Sequence, residues 1–264
     1  MLNPRLVHDN EKSLYIFCLL FSIVVYVSLI ISIIGIIYII AGIIAALFVQ
    51  GLMMGHIRAN GIKITEQQFP SFYHTAHRIG KEMGLSRLPD IFVLQSDGML
   101  NAFATRFMGR NYVVLYSNLF ELIETGDEEE LSFILAHEFA HIKRNHISKN
   151  LLILPALWFP FLGKAYSRGC EFTCDRIAAA YIGNAPAAIQ GLVILAIGRT
   201  LYKHVNISDY VLESSKERGF FVWLSHIVST HPPLPVRISK IENMHLYPQH
   251  YGYTSKSFEA SVQS

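Results

Sequence analysis

The chain has 264 residues, of which 52% are hydrophobic and 16% charged, and its net charge is +2. That balance, with no basic stripe and no interleaved aromatics, argues against a nucleic-acid-binding surface. Three cysteines, Cys18, Cys170 and Cys174, are too few for a disulfide framework or a four-cysteine structural zinc, and fit a reducing compartment.

Residues 14–54 carry no charged side chain and almost nothing strongly polar except Gln50. As one helix they would be about 60 Å long, twice the hydrocarbon thickness. The run therefore predicts a transmembrane hairpin of two spans turning near residues 32–35. One span followed by an interfacial helix is the alternative, because the turn lacks a polar loop. A cleaved signal peptide is too short to match. A hairpin leaves both flanks on one side, and those flanks carry Arg5, Lys12, Arg58 and Lys63. The positive-inside rule then puts the N-terminus and everything after His56 in the cytoplasm. The expected organisation is a membrane anchor over 1–56, one catalytic domain over 57–246 and a loosely ordered tail over 247–264.

Thr65-Glu66-Gln67-Gln68 has the form of a capping box opening an amphipathic helix that ends near Gly84. Residues 91–94, 102–105 and 112–116 are short strand candidates, expected to form a small antiparallel sheet. Beyond them the pattern is helical, which gives an α+β domain.

The chemistry centres on His137-Glu138-Phe139-Ala140-His141, an H-E-x-x-H pentad. Histidines four apart on a helix reach one metal ion, and the intervening glutamate can act as general base for a water activated by it. Acidic residues 127–130 precede the segment and Lys143, Arg144 and Lys149 follow, matching the helix dipole. Apolar Leu131, Ile134, Leu135, Phe139 and Ile142 recur at helical spacing, so the helix should be buried. Arg144 and Ile147 stand where a metzincin needs glycine and histidine, which excludes that class. His146 falls on the far side of an uninterrupted helix, at the surface or behind the ligands.

A catalytic zinc needs a third ligand. Glu171 is the candidate, near the start of a second helical segment, with Asp175 one turn later to accept the free ring N–H of a ligating histidine. The plainer alternative is a helix N-terminus with an acidic first turn. Cys174 reads as a small packing residue, with a ligand role second to that. Residues 151–163, broken by Pro155 and Pro160, are too short to span; they form either a re-entrant or interfacial element with Trp158 at headgroup level, or a buried loop. Residues 189–197 read as a core helix started by Asn184 and Pro186. In the Pro-rich stretch 230–237, His231 and Arg237 could stabilise an oxyanion or hold substrate, although a histidine before two prolines is commonly only a loop residue.

Together, Asn101-Ala102-Phe103-Ala104-Thr105, the His137 pentad, Ser167-Arg168 leading to Glu171 and Asp175, and Thr230-His231-Pro232-Pro233 with Arg237 resemble the HtpX-like membrane zinc metallopeptidases, relatives of the CaaX prenyl proteases. The resemblance implies a mainly helical, zincin-like (gluzincin) domain. It implies one zinc per subunit held by His137, His141 and Glu171, with Glu138 as catalytic acid/base and Asp175 behind the ligands. By the same resemblance His231 and Arg237 contact substrate or transition state, and Asn101 and Ala102 lie on a strand edge that holds the substrate, as in β-augmentation. Relatives usually carry glycine directly after the N-A-F-A-T run, whereas Arg106-Phe107-Met108 intervene here before Gly109, and Cys174 replaces a common alanine. Only 29 residues separate His141 and Glu171, leaving no room for two further full spans.

The expected activity is that of a membrane-anchored endopeptidase acting on membrane or misfolded proteins, in the inner membrane if the source is bacterial. Its expected partners are protein substrates and the lipid bilayer, with no nucleic acid and the oligomeric state open. A non-catalytic zinc-binding scaffold is the rival from another class, and an intact Glu138 argues against it. A CaaX-type processing protease is the other alternative, for which the membrane segments are too few.

Overall fold

Ser32 divides the apolar run. The computed structural model describes residues 3–95, 102–123, 126–198 and 200–252. At Ser32 the backbone leaves the helical region (φ −88°, ψ 122°), and its hydroxyl accepts from the Gly35 N–H at 3.3 Å. The result is two helices, α1 (Asp9–Ile31) and α2 (Ile33–Asn60), each long and apolar enough to cross a membrane. A Cβ on Gly35 would run into the backbone of Leu29, so the tight turn needs glycine there. Large apolar side chains such as Val24, Ile34 and Phe48 face outward along both helices, each about 65% exposed.

After Gly61 come β1 (Ile62–Lys63) and α3 (Pro70–Glu82). The Thr65 hydroxyl accepts from the Gln68 N–H at 3.1 Å, closing a turn ahead of the helix; α3 itself starts at Pro70, whose ring suits the first helical position. Strands β2 (Asp90–Leu94), β3 (Ala102–Phe107) and β4 (Arg110–Tyr116) complete a sheet of order β1-β2-β4-β3. The sheet is mixed, where an antiparallel one is expected from the strand pattern. The β3–β4 hairpin turns through Met108 (φ 45°) and Gly109 (φ 79°), a left-handed pair that a two-residue loop requires. The hairpin returns β4 to the slot between β3 and β2, so β4 runs parallel to β2, pairing Ile91 with Val113.

Both faces of β4 are covered, and Val113, Val114 and Leu115 are fully buried. One face carries Val114 and Tyr112 against Met54 and Ile57 at the foot of α2, which seats this apolar helix directly on the sheet. Gln50, the polar side chain of the apolar run, donates to the Arg106 carbonyl at 2.7 Å. The other face joins the main core.

A short helix, α4 (Ser117–Phe120), leads towards α5 (Glu128–Lys143), the central helix of that core. Phe133, Leu135 and Phe139 on α5 are fully buried, and truncating either phenylalanine to alanine would cost about 3–5 kcal/mol. Then follow α6 (His146–Leu152), α7 (Leu154–Trp158) and the long α8 (Leu162–Ile182), which packs along both α5 and α1. Helix α9 (Ala185–Ile197), capped by the Asn184 side chain, packs on α5. Helices α10 (Ile207–Lys216), α11 (Phe220–Val228) and α12 (Leu234–Leu246) close the domain. Residues 248–251 form α13 (Pro248–Tyr251), with Arg176 lying 5.1 Å above the Tyr251 ring. The rest of the expected tail, 253–264, lies outside the described residues.

Candidate active site

Three glutamates in its first turn and basic residues in its last align α5 with its dipole, and its apolar residues bury it between α3, α8 and α9. His137, Glu138 and His141 thereby project from a fixed helix. Glu171 and Asp175 stand one turn apart in the middle of α8, which begins nine residues before Glu171. The alternative of an acidic helix start therefore falls away: Glu171 is buried, far from any helix terminus.

The three candidate ligands converge. His137 Nε2 lies 3.3 Å from His141 Nε2, and each nitrogen lies 3.4 Å from a Glu171 carboxylate oxygen. Zinc bonds of about 2.0–2.1 Å in tetrahedral geometry put neighbouring ligand atoms about 3.3 Å apart. The donor set and its spacing therefore fit a zinc-sized cation.

Burial opposes charge on Glu171, but hydrogen bonds and charge from His137 and His141 outweigh it and hold the carboxyl well below the usual range. Burial likewise works to lower the His137 pKa, yet the Asp175 and Glu171 carboxylates prevail and lift it to about 10. The pocket thus favours a positive charge between these groups. A proton on the imidazole and a metal ion compete for that position.

Support radiates in two directions. His137 Nδ1 lies 3.0 Å from Asp175 Oδ1, and Arg237 grips Asp175 with two bonds of 2.7 and 2.6 Å. Burial disfavours the Asp175 charge, but the Arg237 guanidinium keeps its carboxyl below the ordinary value. Arg237 Nη2 also comes within 3.5 Å of Glu171. Arg237, expected from the resemblance to touch substrate, lines the same cavity as Glu138 and gives two hydrogen bonds to Asp175. His231 lies nearer solvent: its side chain is 63% exposed and Nε2 lies 3.6 Å from Glu171 Oε1.

On the other side, His146 Nδ1 lies 3.1 Å from His141 Nδ1 and Nε2 lies 3.2 Å from Glu11 Oε1. The expectation of a possible surface position is corrected here: Asn145 adopts a left-handed conformation (φ 55°), α5 ends, and α6 folds His146 back under His141, almost fully buried. Burial, reinforced by the nearby His141, lowers the His146 pKa to about 4 despite the Glu11 carboxylate. A neutral His146 with its proton on Nε2, the nitrogen that faces Glu11, accepts at Nδ1 from His141, which leaves His141 Nε2 as the free lone pair. Cys174 Sγ sits 3.7 Å from the same His146 nitrogen. His141, His146 and Cys174 also lie close enough to count as a metal-sized group. Burial and the Glu171 charge push the Cys174 thiol well above its ordinary value, so it stays protonated and this second group is hydrogen-bonded support.

Glu11 went unread in the sequence. It is 1% exposed at the head of α1 and receives Arg144 at 2.7 Å and Lys149 at 3.8 Å. The available signal was an acid standing directly before an apolar run, with unmatched cations following the pentad.

Glu138 and His231 line a cavity of about 480 Å³ that also takes in Ala102, Phe103 and Ala104 of β3, the edge strand of the sheet. Asn101 lies outside the described residues.

The family model described as Peptidase family M48 matches residues 66–162 and 154–245. The chain is 24% identical over 237 residues to proteins named Protease HtpX homolog from Streptococcus pyogenes serotype M5 (strain Manfredo) and serotype M49 (strain NZ131). Each of those alignments covers 70% of this chain and 77% of the relative. The chain belongs to peptidase family M48.

Proposed function

We propose that this chain is a membrane-anchored, zinc-dependent endopeptidase in which His137, His141 and Glu171 hold one zinc and Glu138 is the general base. The observation that carries the reading is the 3.3–3.4 Å triangle of ligand atoms, with Glu138 in the same cavity. Zinc there would supply Lewis acidity, polarising the scissile carbonyl and bringing the pKa of water towards roughly 7.

Glu138 accepts the proton of the attacking water and later delivers it to the leaving amine. His231 donates to the developing oxyanion. Asp175 orients His137, and Arg237 orients Asp175, so Arg237 acts as a positioning residue. An extended substrate segment lies along the edge of β3 that borders the cavity, beside Ala102, in the manner of β-augmentation.

Substrates are extended segments of membrane-associated or misfolded proteins, a reading supported by the seating of α2 on the sheet that borders the cavity. Arg5, Lys12, Arg58 and Lys63 on the flanks of the hairpin favour a catalytic domain, residues 57–246, on the cytoplasmic side. Purified full-length chain with zinc should cleave an unfolded protein such as casein, lose that activity to a chelator and regain it with added zinc. Cleavage that persists undiminished after metal removal would sink the proposal.

A further inference from the structure

Residues 150–163 form an apolar excursion between the two ligand-bearing helices, and its contacts with α1 give its depth. At the start, Lys149 Nζ lies 3.8 Å from Glu11 at the head of α1. The chain then descends: the Ala156 N–H meets Ser22 Oγ at 3.3 Å, and the Phe159 ring stands 5.0 Å from that of Phe21. It returns past Cys18, whose Sγ lies 3.9 Å from the Leu162 carbonyl, and regains the level of Glu11 at Gly169, where a Cβ would come within 3.2 Å of the Glu11 nitrogen. From Lys12, the last charge before the run, to Ser22 the helix rises about 15 Å; from Ile16, the first widely exposed apolar side chain, about 9 Å. The lowest part of the excursion therefore sits well inside a hydrocarbon layer about 30 Å thick.

We infer that residues 151–163 enter the bilayer as a half-span lying against α1, with lipid hydrocarbon covering their outer face. The inference rests on the proposed reading that α1 crosses the membrane. Its outward side chains suit lipid: Leu151, Trp158 and Phe159 are 67%, 84% and 49% exposed, and no residue from 151 to 163 is charged. Non-helical backbone survives at that depth only where its polar groups are satisfied by protein. Here the N–H groups of Ile153, Leu157, Phe159 and Leu162 bond to carbonyls within the segment or the turn before it. Pro155 and Pro160 have no N–H to satisfy. A further N–H, that of Ala156, is met from outside the segment by Ser22, a fully buried hydroxyl in an otherwise apolar stretch of α1. Lys164, on the ascending side, is close enough to the boundary to extend its ammonium into it.

The chain's two tryptophans, Trp158 and Trp223, allow a direct test. Trp223→Phe, a change at an exposed side chain, leaves Trp158 as the sole tryptophan of the full-length protein reconstituted in phosphatidylcholine vesicles. Phospholipid brominated along its acyl chains should remove most of the Trp158 emission, and aqueous iodide should remove little. Vesicles washed with alkaline carbonate should keep both the protein and this pattern. Retained protein quenched by iodide and not by brominated lipid would overturn the half-span while leaving the α1 anchor intact. Protein stripped by the wash would overturn both.

Discussion

His146 Nδ1 lies 3.1 Å from His141 Nδ1, and its other nitrogen faces Glu11 at 3.2 Å, at the head of the first apolar helix. The His141 imidazole, a ligand in the proposed reading, is therefore backed by His146, which in turn rests against a carboxylate of the first helix. Outer-shell partners of this kind typically contribute 10–100-fold in metal affinity. His146→Phe should weaken zinc binding by about that factor, measured by competition with a chromophoric chelator, at unchanged helix content. Glu11→Gln should move affinity in the same direction by less, because His146 keeps a hydrogen-bond acceptor. Wild-type affinity in His146→Phe would remove the relay from the account.

Arg237 pairs with Asp175 in the interior, and breaking one side of a buried ion pair strands the other charge. Arg237→Ala should lower the stability of the metal-free chain by about 3–5 kcal/mol. Arg237→Lys should recover only part of this, since a lysine cannot reproduce the two-bond grip at 2.7 and 2.6 Å. Denaturant titration of the zinc-free variants checks both statements. A loss of activity at unchanged stability would instead argue that Arg237 acts on substrate.

His146 also sets a pH dependence. Its folded pKa is lowered to about 4 from an ordinary 6.5. Between those values the unfolded chain binds the extra proton, so this residue's contribution is complete above pH 6.5 and is lost as pH falls towards 4. The loss amounts to about 3 kcal/mol. Stability of the zinc-free chain followed from pH 7 to pH 4 should show this decline, and His146→Phe should flatten it. An equal slope in the variant would assign the acid sensitivity elsewhere.

The features legible in the sequence are those that local pattern encodes. The run 14–54 exceeds one span and breaks at Ser32, and the pentad with Glu171 and Asp175 follows from helical spacing on two helices. What stayed hidden depends on contacts between distant residues or on single backbone torsions. The left-handed Asn145 carries His146 from the far side of a helix to the back of a ligand. The parallel β2–β4 pairing follows from where a hairpin lands, which alternation along each strand does not report. Glu11 is 133 residues from Arg144, and only the packing of α8 along α1 and α5 brings them together.

Zinc analysis and proteolysis of wild type beside Glu138→Gln test the central claim most directly. Glu138 lines the cavity but is absent from the ligand triangle, so the variant should bind zinc as wild type does. Its cleavage of an unfolded substrate should fall by about 10²–10⁴-fold, the range expected for removing a general acid–base group. A zinc-loaded Glu138→Gln protein that cleaves at the wild-type rate would contradict the account.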